Sequence, residues 1–269
     1  MTTTLPSLFA ETRRRYPART LDLDGTPWTV RDTGGTGVPL LLLPGALGTG
    51  DVFYRVLDAL GGERRLVSVT FPAIGDARRL ARGVTALVDA LGCPVVDLLG
   101  TSLGGYVAQL VALEAPARLR TLVLANTFYD PGLQQSRWPP AADYARTPPA
   151  DVLAAARAQL QNGPAPTPEH AELKAVMLEL VGTEQDADMV KAMRLAVLTA
   201  QPLPAVPLAA EAVALIDDDE DPVIAGPTRE QMRQRYAGSR HVRIPGGGHY
   251  PANLQPGRYQ AAIRELLPR

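Results

Sequence analysis

The chain has 269 residues, a length at which a single α/β domain is common. Its 27 basic and 28 acidic residues give a formal charge of -1, so no whole-chain field attracts nucleic acid or an anionic membrane. The single cysteine, Cys93, excludes a disulfide framework and a cysteine-rich metal site. These properties indicate a globular protein that recognises any partner locally.

Neither a targeting segment nor a membrane span is predicted. The longest apolar runs, such as Leu40 to Leu43, are far shorter than the ~20 residues of a membrane helix. At the start of the chain the basic cluster follows the apolar residues, which reverses the order found in a secretory signal. We therefore expect a cytoplasmic protein. The sequence leaves the oligomeric state open.

Short apolar runs alternate along the chain with stretches of helical pattern. The strand-like runs are Trp28 to Arg31, Leu40 to Leu43, Leu66 to Thr70, Val95 to Leu99, Thr121 to Ala125, Ala212 to Ile216 and His241 to Ile244. The helical candidates are Asp51 to Leu60, Ala77 to Leu91, Gly104 to Ala115, Thr228 to Tyr236 and Pro256 to Leu267. This alternation predicts an α/β fold with a mostly parallel sheet flanked by helices.

One segment interrupts the alternation. Residues 127–210 contain no strand signal, and Pro-rich connectors separate three helical stretches, near Asp151 to Gln161, Glu169 to Val181 and Asp186 to Thr199. The segment lies between two strand candidates and has little room for a core of its own. We therefore expect residues 1–126 and 211–269 to form the main domain. Residues 127–210 are expected to be a helical lid, inserted between the sixth and seventh strands.

The strongest local motif is Gly100-Thr101-Ser102-Leu103-Gly104, which directly follows a predicted strand and directly precedes a predicted helix. In this GxSxG context a sharp turn places the serine oxygen beside unpaired N–H groups of the helix N-terminus. Ser102 is therefore the predicted nucleophile. A glycine-rich turn with a capping serine is the structural alternative.

A second glycine turn, PGALG at residues 44–48, follows the predicted strand Leu40 to Leu43. The backbone N–H of Ala46 could combine with that of Leu103 to hold the oxyanion of a reaction intermediate. Many turns between a strand and a helix contain glycine, so this turn gains its functional meaning from the serine motif downstream. We expect Ala46 and Leu103 to form an oxyanion hole.

The chain has three histidines that could act as a general base. His170 lies in the predicted lid and has the pattern of a solvated helix surface, and His241 begins a strand, where alternation directs its side chain. His249 lies in the loop GGGHYP after the last strand, from which an imidazole can reach the C-terminal edge of the sheet. We expect His249 to accept the proton of Ser102.

The acid partner of the histidine lies between serine and histidine in this motif order. The carboxylate run DDDED at residues 217–221 follows a predicted strand and is the candidate cluster, although such a run could also be a solvated turn or a weak cation site. Asp221 is favoured because Pro222 biases it toward an extended conformation. Asp130, after an earlier strand, is the second candidate. The remaining alternatives are Asp217, Asp218, Asp219 and Glu220.

Together, the PGALG turn, the GTSLGG turn, the acidic run and the GGGHYP loop resemble the α/β-hydrolase superfamily over essentially the whole chain. The segments PGALGTGDVF and NTFYD, at residues 44–53 and 126–130, resemble its maspardin branch more narrowly. Animal members of that branch lack the histidine of the catalytic triad and are regarded as binding or regulatory proteins. This chain departs from them at His249, which argues against a purely binding role.

The sequence predicts a serine hydrolase that cleaves a carboxylic ester, thioester or lactone through an acyl-enzyme on Ser102, with no metal or organic cofactor. A carbon–carbon bond hydrolase, a cofactor-free perhydrolase and a non-catalytic maspardin-like binding protein are the alternatives. The expected partner is a small acyl substrate in a mainly apolar pocket. The candidate substrate contacts are Phe128, Tyr129 and Trp138.

Overall fold

One sheet of eight strands runs through the computed structural model, which describes residues 6–268. The strands are β1 (Arg19–Leu23), β2 (Thr26–Asp32), β3 (Leu40–Leu43), β4 (Leu66–Thr70), β5 (Val96–Thr101), β6 (Leu119–Ala125), β7 (Val213–Asp217) and β8 (Arg240–Arg243). Their order across the sheet is β1-β2-β4-β3-β5-β6-β7-β8. Strand β2 is antiparallel to both of its neighbours, and the other pairs are parallel. The predicted α/β architecture is therefore confirmed.

Helices cover both faces of this sheet. They are α1 (Ser7–Arg15), α2 (Tyr54–Leu60), α3 (Ala77–Ala90), α4 (Leu103–Glu114), α5 (Gly132–Gln135), α6 (Ala141–Arg146), α7 (Pro149–Asn162), α8 (Pro168–Leu180), α9 (Ala187–Leu198), α10 (Gly226–Arg235), α11 (Pro251–Leu254) and α12 (Pro256–Leu266). Short 3-10 turns lie at Gly50–Phe53, Pro116–Arg118 and Ala210–Ala212. Across residues 6–268, none of the helices has the length and apolar character that crossing a membrane requires.

The core consists of two apolar clusters between which successive strand side chains alternate. Leu41 and Leu43 of β3 belong to the cluster that α3 and α4 cover, whereas Leu40 and Leu42 belong to the cluster that α1, α2 and α12 cover. All four leucines are fully buried. A continuous leucine run is what a central parallel strand needs, because both of its faces are covered.

The sequence-based prediction missed the first strand and the first helix. Strands β1 and β2 form a hairpin whose turn is Asp24-Gly25, with φ values of 51° and 77°. Asp-Gly is a preferred pair for such a turn, so a signal for the hairpin was present. Helix α1 packs on α2, where the ring of Phe9 meets that of Tyr54 edge-on at 5.4 Å.

Helices α5 to α9 occupy the chain between β6 and β7, at residues 127–210, which we call the inserted segment. Met193 and Ala196 of α9 belong to one apolar cluster of the sheet, and Val176 and Leu180 of α8 belong to the other. The inserted segment therefore shares its buried side chains with the main domain. The three predicted helices correspond to α7, α8 and α9, whereas the short helices α5 and α6 are not predicted from the sequence.

Candidate active site

Ser102 lies in the turn between β5 and α4 with φ 51° and ψ -120°, a backbone region that residues with a side chain rarely adopt. Hydrogen bonds hold this turn in place. The Ser102 N–H donates to the carbonyl of Ala125 at 3.0 Å, and the Ser102 carbonyl accepts from the N–H of Tyr106 at 3.1 Å. The hydroxyl of Thr127 donates to the same carbonyl at 2.6 Å. Ser102 is 9% exposed and lines a cavity of about 820 Å³.

The glycines of the GTSLGG turn allow β5 and α4 to approach closely. A Cβ atom on Gly100 would lie 2.2 Å from the carbonyl oxygen of Gly104, and one on Gly104 would lie 2.3 Å from that of Leu43. A Cβ atom on Gly105 would lie 2.6 Å from the side chain of Thr127. Close packing of β3, β5, α4 and Thr127 therefore requires glycine at these three positions of the motif.

Gly104→Ala is expected to lower the free energy of unfolding by about 3 kcal/mol, because the backbone of β3 must move to admit the methyl group. Gly257→Ala is the control. Its methyl group would meet nothing within 4 Å near the start of α12, where alanine favours the helix by roughly 0.5–1 kcal/mol. Urea denaturation of both variants measures the difference, and equal changes would contradict this account of the turn.

His249 and Asp221 meet at the carboxyl ends of β7 and β8. The Nδ1 atom of His249 lies 2.9 Å from Oδ2 and 3.2 Å from Oδ1 of Asp221. An ionised carboxylate can only accept hydrogen bonds, so Nδ1 carries the proton in the neutral imidazole and Nε2 is left as an acceptor. The two side chains are nearly buried, at 9% and 0% exposure. This arrangement suits a histidine that takes a proton from a neighbouring hydroxyl.

The surroundings of Asp221 keep its carboxylate ionised. Oδ1 accepts from the N–H groups of Val223 at 2.7 Å and Ile224 at 2.9 Å, and Oδ2 accepts from Nδ2 of Asn126 at 2.7 Å. Burial raises the pKa of Asp221, but the hydrogen bond and positive charge of His249, together with the other donors, outweigh it and hold this pKa below its ordinary value.

Asn126, which directly follows β6, was not among the site residues predicted from the sequence. It has φ 44°, and its Nδ2 donates to Asp221 at 2.7 Å and to the carbonyl of Gly248 at 3.0 Å. One side chain therefore joins the acid loop to the histidine loop. An asparagine directly after a strand was the available signal, since asparagine tolerates left-handed backbone.

The first members of the acidic run form a separate ion-pair network. Asp217 contacts Arg233 at 2.8 Å and His241 at 2.9 Å, and Asp219 contacts Arg233 at 2.6 Å and Arg243 at 3.3 Å. His241 is therefore held on β8 by an aspartate, and it is not among the described residues that line the cavity. Among the described residues, neither Asp217 nor Asp219 hydrogen-bonds to His249.

Two further acid candidates, Asp218 and Asp130, also have local partners, whereas Glu220 is exposed. Asp218 accepts from the N–H of Gly248 at 2.7 Å and from that of Glu220 at 3.1 Å, so it fixes the two loops without touching the imidazole. Asp130 accepts from the N–H of Gly132 at 2.9 Å, at the start of α5. Among residues 6–268, no group of three or more His, Cys, Asp or Glu side chains is arranged to hold a metal ion.

The turn after β3 lies directly against the serine. A Cβ atom on Gly45 would be 3.1 Å from Cβ and 3.7 Å from Oγ of Ser102. The next residue, Ala46, lines the cavity, and Leu103 is the first residue of α4. In the described part of the chain, the N–H groups of Ala46 and Leu103 donate to no other backbone group. Both therefore remain available to a bound oxygen atom.

Two of the three expected substrate contacts line the cavity. These are Phe128, which stacks on Tyr106 with ring centroids 5.4 Å apart, and Trp138. Tyr129 is not among the described lining residues, because its ring faces the end of α10, 3.5 Å from the guanidinium carbon of Arg235. The expectation that Tyr129 contacts substrate is therefore corrected.

The cavity wall is mainly apolar, as the sequence predicts, but it also carries several charged and polar side chains. Three basic side chains, Arg137, Lys174 and Arg194, line it, and no Asp or Glu is among its described lining residues. His170 also lines it and is half-buried, with Nδ1 2.9 Å from the hydroxyl of Thr167, whereas the sequence indicated a solvated surface. These polar groups come from the inserted segment, whose side chains the strand motifs do not specify.

Residues 40–262 match the family model described as the alpha/beta hydrolase family. The chain belongs to the alpha/beta hydrolase family. Maspardin of Danio rerio is 26% identical over 236 residues, which cover 86% of this alpha/beta hydrolase and 75% of that protein. Maspardin of Homo sapiens is 34% identical over 122 residues, which cover 44% of this chain and 40% of that protein. The predicted resemblance to the superfamily, near its maspardin branch, is confirmed.

Solved structures share the fold of this alpha/beta hydrolase. A thermophilic esterase from Thermogutta terrifontis has a TM-score of 0.71 and 22% identity, covering 92% of this chain and 97% of the other. Est816, described as an N-acyl homoserine lactone degrading enzyme, has a TM-score of 0.72 and 17% identity, covering 93% of this chain and 100% of the other. At these identities the likeness establishes the fold alone.

Proposed function

We propose that this alpha/beta hydrolase is a serine hydrolase that cleaves a carboxylic ester, thioester or lactone through an acyl-enzyme on Ser102. The observation that carries the proposal is the hydrogen bond between His249 and Asp221 at the wall of the cavity that Ser102 lines. Family membership supports hydrolytic chemistry, and the esterase and lactone-degrading enzyme among the structural neighbours fit this substrate range.

In the proposed reaction, Oγ of Ser102 attacks the carbonyl carbon while Nε2 of His249 accepts the hydroxyl proton. The N–H groups of Ala46 and Leu103 donate to the oxygen of the tetrahedral intermediate, and Asp221 stabilises the imidazolium. The imidazolium then returns the proton to the leaving group. A water molecule, deprotonated by the same histidine, cleaves the acyl-enzyme and releases the acid.

Among the described residues, the side-chain hydrogen bonds of His249 are those to Asp221. Proton transfer therefore requires Oγ of Ser102 and Nε2 of His249 to come within hydrogen-bonding distance when a substrate binds, as catalytic groups often do on going from a free enzyme to its complex.

We propose that the inserted segment serves as the lid of this site. Leu160 of α7, Leu173 of α8 and Arg194 of α9 all contribute to the cavity wall. Substitutions there are expected to change substrate choice more than the chemistry at Ser102, because the reacting groups come from the main domain.

Labelling with a fluorophosphonate probe, followed by a panel of acyl esters of graded length with lactones and thioesters, tests the proposed function. We expect stoichiometric labelling at Ser102 and turnover of at least one member of the panel. Labelling without turnover of any member would favour carbon–carbon bond hydrolysis or perhydrolysis, which use the same three residues. Neither labelling nor turnover would favour a binding protein, as the similarity to maspardin allows.

The pH dependence of the reaction follows from the state of the acid–base pair. Because the pKa of Asp221 is below its ordinary value, this carboxylate stays ionised at neutral pH and on its acid side. The base must be neutral to accept the proton of Ser102, so kcat/KM is expected to fall as the pH decreases into the acid range, with a limiting slope of one. A profile that is flat between about pH 5 and 9, when chemistry limits the rate, would contradict the assignment.

A further inference from the structure

Arg194 places a positive charge in the wall of the cavity that Ser102 and His249 line. It projects from α9, and its guanidinium carbon lies 3.4 Å from the ring centroid of Trp138, which lines the same cavity. The charge also acts on Tyr250, whose ring centroid lies 5.1 Å from that of His249. Arg194, Tyr250, His249 and Ser102 thus line the same cavity.

This arginine has no acidic partner among the described residues. The side chains that interact with its charge are those of Tyr144 and Tyr250. By contrast, three other arginines of the sheet and its flanking helices each contact an aspartate at 2.5 to 2.8 Å, namely Arg31, Arg120 and Arg233. Burial lowers the pKa of Arg194, and Tyr144 opposes this, but a guanidinium stays protonated in proteins. Arg194 is half-buried, and a charge that is partly removed from water without a counter-charge is costly unless a ligand supplies one.

The other two basic groups of the cavity already have partners. Lys174 donates to the carbonyls of residues 161 and 163, at 2.5 and 2.9 Å, and the exposed Arg137 donates to the carbonyl of Val223 at 2.7 Å. Backbone carbonyls therefore occupy these two cations. Arg194 differs in that its partners among the described residues are aromatic side chains, through a hydrogen bond with Tyr144 and the face of Trp138, so its charge is the one that a bound anion would complement.

Two amide side chains in the cavity wall are also unsatisfied. Gln134 is 7% and Gln185 is 1% exposed, and within residues 6–268 neither the oxygen nor the nitrogen of either amide has a hydrogen-bond partner. A Cβ atom on Gly48 would lie 3.4 Å from Nε2 of Gln185, so this amide borders the turn that carries Ala46. Buried polar groups are normally hydrogen-bonded, so these amides indicate a ligand with polar groups of its own.

We propose that the substrate carries a carboxylate in addition to the acyl bond that is cleaved, and that Arg194 binds this carboxylate. The substrate class is then the half-esters, half-thioesters and carboxy-lactones of dicarboxylic acids. A carboxylate fits better than a phosphate monoester because one guanidinium balances its single negative charge, whereas a phosphate monoester carries nearly two at neutral pH. The inference rests on the proposed function for the bond that is cleaved.

Matched esters test the role of Arg194. The probes are mono-4-nitrophenyl adipate, which is anionic, and 4-nitrophenyl hexanoate, which has the same acyl length and no charge. In Arg194→Met, the ratio of kcat/KM for the anionic ester to that for the neutral ester is expected to fall by about 30-fold, as for loss of a hydrogen bond between charged groups. Arg194→Lys, which keeps the charge and loses the fork, should give an intermediate ratio.

Arg137→Met is the matched control, since it removes a second cation from the same cavity. Its ratio is expected to change by less than about threefold, because Arg137 is exposed and screened by solvent. An unchanged ratio in Arg194→Met, or an equal change in Arg137→Met, would overturn the assignment to Arg194.

Binding to Ser102→Ala tests the carboxylate site without catalysis. By calorimetry, monomethyl adipate is expected to bind at least tenfold more tightly than dimethyl adipate, and Arg194→Met in the same background should remove this preference. If monomethyl adipate binds preferentially but the wild-type protein turns over no ester, the proposed function is refuted and the carboxylate site is retained. Equal or undetectable binding of both esters to Ser102→Ala would overturn the carboxylate site, and this result does not depend on whether Arg194→Met folds. Tighter binding of inorganic phosphate than of monomethyl adipate would also overturn it.

Discussion

Ser102→Ala is expected to lower kcat for any substrate of this alpha/beta hydrolase by about 10⁵-fold or more, because the nucleophile acts as a unit with its base and acid. The variant should also lose all fluorophosphonate labelling. It should still fold, since the hydrogen bonds that fix the turn use the backbone N–H and carbonyl of Ser102. Initial rates and intact-protein mass spectrometry measure the two losses.

The matched control is Ser239→Ala, which changes a serine before β8 that is not among the described residues lining the cavity. It should keep both turnover and labelling. Full labelling of Ser102→Ala would place the reactive hydroxyl elsewhere and would refute the acyl-enzyme on Ser102.

Asp221→Asn is expected to lower kcat by about four orders of magnitude, because the imidazole loses the carboxylate that fixes its tautomer. The amide oxygen can still accept from the N–H groups of Val223 and Ile224, so the acid loop should keep its shape. Parallel kinetic assays against wild-type protein at a single pH measure the loss.

Asp219→Asn and Asp130→Asn are the controls for this prediction. Asp219 pairs with Arg233 and Arg243, and Asp130 holds only the N–H of Gly132, so both variants should keep kcat within about threefold. A loss of about 10⁴-fold in Asp130→Asn with a mild effect in Asp221→Asn would move the acid to the strand before the inserted segment.

Most of the sheet could be predicted from the sequence. The predicted strands agree with β2 to β8 within two residues at each end. For β3 to β7 the reason is that buried parallel strands are continuous apolar runs. Strand β1 was missed because RTLDL alternates polar and apolar residues at an exposed edge, where the burial signal is weak. Its Asp-Gly turn was the stronger signal.

Much of the candidate site could also be predicted from the order of the motifs along the chain. Ser102 and His249 were chosen by their positions after strands, and the structure places both at one cavity, with Asp221 behind His249. The choice of Asp221 rested on Pro222 alone, and chain order could not distinguish it from its acidic neighbours. In the structure, Asp221 hydrogen-bonds to His249, whereas Asp217, Asp218 and Asp219 have other partners.

The wall of the cavity could not be predicted, because it depends on how the inserted helices pack. Arg194 lies in a helix whose sequence is compatible with an ordinary solvated arginine, and only the packing of α9 turns it inward. Gln134 and Gln185 carry no sequence signal either. Tyr129 follows a residue that lines the cavity, yet its own ring faces α10.

Backbone strain at the ends of β5 and β6 has a consequence for how this protein would respond to selection. Ser102 and Asn126 both have positive φ, which costs roughly 1–3 kcal/mol for serine and less for asparagine, where total stability is roughly 5–15 kcal/mol. Glycine at either position would relieve the strain and remove the hydroxyl or the amide. Selection for thermal stability alone would therefore favour glycine at both positions. Selection for the function of the site is needed to retain the serine and the asparagine.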